Sequence, residues 1–148
     1  MAKNRKQHEI KAGVITAASG RIPPPGTPKQ EITFSFKYLD LSKEKFSLAR
    51  CADVRQYVQR LLGRFRAINA MTALALRTSG SAALRCHTIP WERTSEREGF
   101  TSLNETLRRQ NEPIQFQVSA NEHGRVHGFF IGSTFFVVWL DPAHLLYP

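Results

Sequence analysis

The chain has 148 residues, which suits one domain with an appendage and is enough to bury a core. Its 41% hydrophobic content is ordinary for a globular protein, but a formal net charge of +9 and a pI near 10.2 are not. No apolar run approaches ~18 residues and the start lacks the apolar stretch of a secretory signal, so neither a membrane span nor export is expected.

So basic a surface favours anionic partners, with nucleic acid or ribosomes ahead of membranes. Cys51 and Cys86 are too few for a disulfide framework and form no CxxC pair, which reads as a reducing cytoplasm.

Residues 1–30 read as a tail. Lys3, Arg5, Lys6, Lys11, Arg21 and Lys29 face a single acid, Glu9, so over half of the net charge sits in a fifth of the chain. Pro23-Pro24-Pro25-Gly26 with Pro28 cannot join a helix or central strand and forms an extended spacer. Low hydrophobicity with like charges predicts a disordered or extended segment. Basic arms of this kind bind phosphate backbones, which makes Lys3, Arg5, Lys6 and Lys11 candidate nucleic-acid contacts; a passive tail is the competing reading. A single α+β domain over residues 31–148 follows.

In that domain, Ile32, Phe34, Phe36 and Tyr38 alternate with Thr33, Ser35 and Lys37, a strand with one buried face. A helix follows behind Asp53, with Val54, Tyr57, Val58, Leu61, Leu62, Phe65 and Ile68 at three- and four-residue steps. Its other side carries Arg55, Arg60, Arg64 and Arg66. Arg60 and Arg64 are like-charged i,i+4 neighbours, which suits an anionic partner as well as plain solvation. Thr72–Arg77 forms a second short helix, and Ala83–Ile89 a short strand stopped by Pro90. The loop Pro90-Trp91-Glu92-Arg93-Thr94-Ser95 adds Arg93 as a nucleic-acid candidate. Phe100–Arg109 reads as a third helix, with Arg108-Arg109 at the end where the helix dipole favours cations.

Three apolar runs close the chain: Ile114–Ser119, Arg125–Ile131 and Thr134–Asp141, dense in Phe, Val and Ile. Gly132-Ser133 between the last two has the length and chemistry of a tight hairpin turn. The expected architecture is helices packed on one face of a mainly antiparallel sheet. Around that turn Ile131 faces Thr134, Phe129 faces Phe136, His127 faces Val138 and Arg125 faces Leu140. Gly128 sits mid-strand, which needs a bulge or a close approach to justify it. Pro142 interrupts the ladder, so the residues after Leu140 leave at the end where Arg125 lies. His144 and Tyr147 thereby come within reach of His123, Arg125 and His127.

Such a cluster can bind metal or handle a phosphodiester. His123 and His127 lie about 13 Å apart on extended chain, which counts against a metal centre, and no metal or cofactor is expected. Cleavage of RNA through its 2′-OH needs a base, an acid for the leaving oxygen and a cation at the phosphoryl group. His, Tyr and Arg cover these roles. Packing of a chain end by Tyr147, or pairing of Arg125 with Asp141, would explain the same residues structurally.

The element order and the run RVHGFFIGSTFFVVWLDPAHLLY resemble the RelE/ParE superfamily of toxins from bacterial toxin–antitoxin systems. The resemblance covers about residues 31–148 in layout and about 125–147 in motif. It implies a RelE-like fold and a metal-independent endoribonuclease that cleaves mRNA at the ribosome. Arg125 would steady the phosphate, His144 act as base or acid, Tyr147 assist, and His127 serve as a second acid/base. His123 and Asp141 would support them, and an antitoxin protein is the implied regulator. The alternative is a non-catalytic nucleic-acid- or ribosome-binding protein of phage or mobile-element origin, using the tail and the Arg60/Arg64 face.

Overall fold

The computed structural model describes residues 30–120 and 122–147; the candidates Lys3, Arg5, Lys6 and Lys11 lie outside the described residues. The domain is α+β, built on a mixed five-stranded sheet. In chain order the elements are β1 (Thr33–Ser35), α1 (Val54–Asn69), α2 (Ala73–Thr78), β2 (His87–Thr88), α3 (Glu105–Gln110), β3 (Ile114–Gln117), β4 (Arg125–Ile131) and β5 (Thr134–Asp141). The spatial order is β1-β5-β4-β3-β2, with β1 parallel to β5 and every other neighbouring pair antiparallel.

α1 starts where Asp53 accepts a hydrogen bond from the Gln56 N–H at 3.0 Å, satisfying one of the free donors of the first turn. Tyr57, Leu61, Phe65 and Ile68 then fall on one side and are buried. Val54 and Leu62, which periodicity places on the same stripe, are 44% and 59% exposed; the buried stripe is narrower than the sequence suggests. α2 is capped by Thr72, whose hydroxyl accepts from Ala75 N–H at 3.1 Å.

Both faces of the sheet are covered. On one, Ile32, Leu61, Phe65, Ile68, Phe116 and Phe135 join beneath α1 and α2. On the other, Phe46, Phe100, Leu103, Phe129, Trp139 and Leu146 form a second cluster, with Leu107 of α3 packed against it. The expectation that helices occupy one face is therefore corrected: α3 lies opposite α1. The second face is closed largely by irregular chain, tied down by Lys43 and Lys45 pairing with Glu96.

Three elements are shorter than their sequence patterns. Strand β1 stops at Ser35 because the chain turns at once, Leu39 N–H bonding to Phe36 C=O. That turn sends Tyr38 onto Phe129 and Phe136 and leaves Phe36 49% exposed. Ala83–Ile89 yields only β2, since Leu84 and Arg85 are drawn into a turn on Ser81 C=O. The third helix begins at Glu105 rather than Phe100, because Asn104 caps it by accepting from Leu107 N–H at 2.9 Å.

The terminal hairpin keeps the expected pairs Ile131 with Thr134 and Phe129 with Phe136, and then departs from them. Gly128 pairs with Val137, but His127 pairs with Trp139 and Arg125 with Asp141. Val138 is the extra residue of a β-bulge. Its carbonyl accepts from Asp40 N–H at 3.0 Å, so the irregular backbone is satisfied from outside the ladder. Gly128 permits the distortion: a Cβ there would sit 2.0 Å from the Phe136 carbonyl oxygen.

Candidate active site at the open end of the terminal hairpin

The bulge determines which side chains meet. Without it Leu140 would oppose Arg125; with it Asp141 does, and Arg125, His127 and Asp141 share the face on which Trp139 is buried. Gln117 pairs with Arg125 and Gln115 with His127, extending the row onto β3. All five polar residues are buried, a costly concentration in the middle of a sheet.

Asp141 holds the row and the chain end together. It has no solvent exposure, and its two carboxylate oxygens accept from Leu145 N–H at 2.7 Å and Leu146 N–H at 2.9 Å. These bonds fold residues 142–147 back across the hairpin. The Asp141 carbonyl also accepts from His144 N–H, in a turn that leaves His144 at a φ of 56°, the left-handed region that side chains tolerate poorly. Burial opposes ionisation of Asp141, but His127 and the two N–H donors outweigh it and hold the carboxyl below its ordinary value.

His127 is fully buried, with Nε2 3.5 Å from Asp141 Oδ2 and neither ring nitrogen hydrogen-bonded. Burial pushes its pKa down despite the carboxylate, and Arg125 and His144 push in the same direction, so the ring is neutral. Its burial also bars direct contact with a substrate, which corrects the expectation of a second acid/base there. Arg125 is 7% exposed; its Nη1 donates to Gly124 C=O at 3.1 Å. It belongs to none of the ion pairs among the described residues, so the salt bridge to Asp141 that would explain it structurally does not form. A guanidinium this enclosed, with one hydrogen bond among the described residues, is suited to an anion.

His144 is exposed, beside Tyr147, with ring centroids 6.0 Å apart. Partial burial and then Arg125 lower the pKa of His144, while burial raises that of Tyr147. At neutral pH the pair is therefore a free imidazole and an intact phenol, the latter with its hydroxyl shielded and unpartnered. Arg125 lies close enough to His144 and Tyr147 to act electrostatically on both, although the bulge alters the pairing expected at Arg125. His123 does not join them. It hydrogen-bonds Ser119 at 2.6 Å and lines a separate cavity against the start of α1.

Among the nucleic-acid candidates, Arg60 and Arg93 are exposed. Arg64 is committed to the fold, donating from Nε to Val118 C=O at 2.8 Å and from Nη2 to Ala83 C=O at 3.2 Å. Sequence reasoning missed Gln115 and Gln117. Their alternation with Ile114, Phe116 and Val118 was visible, and pairing β3 to β4 puts them beside His127 and Arg125. Among the described residues, no three His, Cys, Asp or Glu side chains converge to hold a metal ion.

The arrangement defines an α+β domain with a cation, a neutral imidazole and a phenol gathered at one sheet end. Comparison with family models, with curated proteins and with solved structures yields no match. None of the helices among the described residues is long and apolar enough to cross a membrane.

Proposed function

We propose that this protein is a RelE-like endoribonuclease of the cytoplasm, cutting RNA at or near the ribosome without a metal and restrained by an antitoxin protein. One observation carries the reading: Arg125, enclosed and in none of the ion pairs among the described residues, lies at the site of an exposed His144 held neutral and a Tyr147 held protonated. His144 takes the proton of a ribose 2′-OH, and the 2′ oxygen attacks the adjacent phosphorus. Arg125 stabilises the charge on the phosphoryl oxygens, and Tyr147 gives its proton to the departing 5′ oxygen once the bound strand has uncovered its shielded hydroxyl. The products are a 2′,3′-cyclic phosphate and a 5′-hydroxyl end. His127 and Asp141 are positioning residues: Asp141 holds the turn that presents His144, and His127 packs beneath it. The net charge of +9 supports an RNA substrate.

The test is cleavage of RNA, in cells and with purified protein, by wild type and by the Arg125→Ala/His144→Ala variant. Loss of cleavage and of growth inhibition in a variant that still melts cooperatively is the expected result. Retained cleavage overturns the mechanism. A second reading, a non-catalytic nucleic-acid- or ribosome-binding protein, is favoured by the burial of Arg125, His127 and Asp141. It predicts RNA binding by wild type with no cleavage under any condition, and loss of most affinity with a shallower salt dependence when residues 1–30 are deleted.

A further inference from the structure

The outer side of α1 carries features that the cleavage reading does not use. Its sixteen residues include four arginines and no Asp or Glu. None of the ion pairs among the described residues includes Arg50, Arg55, Arg60 or Arg66. Four arginines and no acid within one helix are unusual for a merely solvated face, where alternating signs are the rule.

A cavity of about 500 Å³ runs beside this face, floored by Gly63 and Ala67 and flanked by Gln56, Gln59, Arg60 and Ser119. Gly63 is what keeps the floor low: a Cβ built there meets nothing within 4 Å. A second cavity, of about 350 Å³, shares Gln56 as a wall and continues past Arg50, Tyr57 and His123 to Pro142 and Ala143. Tyr57 is 2% exposed, and its hydroxyl has no hydrogen-bond partner. Asp53 and Glu122 also border this second cavity, but the Asp53 carboxylate is occupied in capping Gln56 N–H. The two cavities together lead from the middle of α1 to the residue immediately before His144.

We propose that this groove is the binding track for a single RNA strand entering the cleavage site, an inference that rests on the RNA reading above. Arg60 and Arg50 contact phosphates. The amides of Gln56 and Gln59 supply hydrogen bonds to sugar and base edges. The smooth Gly63–Ala67 floor lets the backbone lie close to the helix. Sequence preference is weak, because the lining offers charge and amides rather than a shaped base pocket.

The test is fluorescence anisotropy of the full chain with a short labelled RNA that is 2′-O-methylated, so that binding is read without cleavage. Gly63→Glu places a side chain and a negative charge where the fold leaves open space. It should weaken binding at physiological salt by at least ~10-fold, and Gly63→Ala, which adds only a Cβ to the floor, should weaken it far less. Arg60→Ala should weaken it several-fold and lower the salt slope by about 1. Equal affinity of Gly63→Glu and wild type overturns the track, as does equally tight binding of a labelled polyglutamate peptide, which would mark the face as a dock for an acidic protein. His144→Ala should keep this affinity while losing cleavage of unmodified RNA, so failure of the track and failure of the chemistry give different results.

Discussion

Asp141→Asn tests how much the returning chain end depends on one buried carboxylate. Each oxygen of Asp141 accepts one backbone N–H, from Leu145 at 2.7 Å and from Leu146 at 2.9 Å. The amide keeps one acceptor and turns an NH₂ group towards the other donor. One buried N–H then goes unpaired, at about 1–3 kcal/mol, and the surviving bond loses its charge assistance, at about 1 kcal/mol. A loss of about 3 kcal/mol corresponds to a fall of roughly 10 °C in the melting midpoint of a domain this size. Calorimetry or circular dichroism at pH 7 reads it directly. The pH dependence adds a second check. Because the folded carboxyl titrates below its ordinary 3.8, the unfolded chain takes up the proton first, and Asp141 stabilises above that value and loses its contribution as pH falls through the folded one. Asp141→Asn should therefore show a flatter acid limb than wild type. A midpoint within about 2 °C of wild type would refute the reasoning and imply that the chain end is held by packing alone.

Other consequences can be measured as simply. Gly128→Ala drives a Cβ into the Phe136 carbonyl and the Phe135 ring, so it should destabilise by about 3 kcal/mol or more in urea titrations and lower cleavage by displacing Asp141 and the turn that presents His144. His144→Gly should relieve the left-handed backbone and raise stability by about 1 kcal/mol while abolishing cleavage; a destabilised variant would contradict the strain. The cleavage rate should rise with pH through a value below 6.5, as His144 loses its proton, and hold level until Tyr147 ionises above 10. A fall in rate between pH 7 and 9 would remove Tyr147 from the acid's role. His127 has a depressed folded pKa, so its stabilising contribution is complete above 6.5 and is lost as pH falls below it; His127→Gln should reduce that loss in denaturation midpoints between pH 7 and 5.

What could be read from the sequence was mostly local. The α1 stripe of Tyr57, Leu61, Phe65 and Ile68 follows from a 3.6-residue period, and the limits of β4 and β5 follow from dense Phe and Val around a two-residue turn. Gly128 signalled an irregularity without saying in which strand the extra residue would lie, because only the packed Phe135 and Phe136 decide that. The approach of His144 and Tyr147 to Arg125 was legible because the turn and Pro142 bring the chain out at the end where Arg125 lies, although the bulge shifts the pairing there by one residue. The burial of Arg125 and of the Tyr147 hydroxyl was not. It depends on the Trp91–Ser95 loop, whose Ser95 hydroxyl holds Leu145 and Leu146, and no periodicity connects positions fifty residues apart. β1 was misjudged for the opposite reason: its alternation continues to Tyr38, but a turn at Phe36 ends the strand early.

That short β1 also bears on the order in which the protein assembles. Strands β2 to β5 follow one another and can zip together as the chain emerges, whereas β1 pairs with β5 about a hundred residues away, Thr33 meeting Thr134. Closing a loop that long costs on the order of 4 kcal/mol, and three residues of parallel ladder cannot offset it unaided. β1 is therefore recruited last, after α1 and α2 have packed and Met71 offers its carbonyl to Ile32. Until β5 has been synthesised, the Phe34 ring that later stacks on Phe65 has no sheet to rest on.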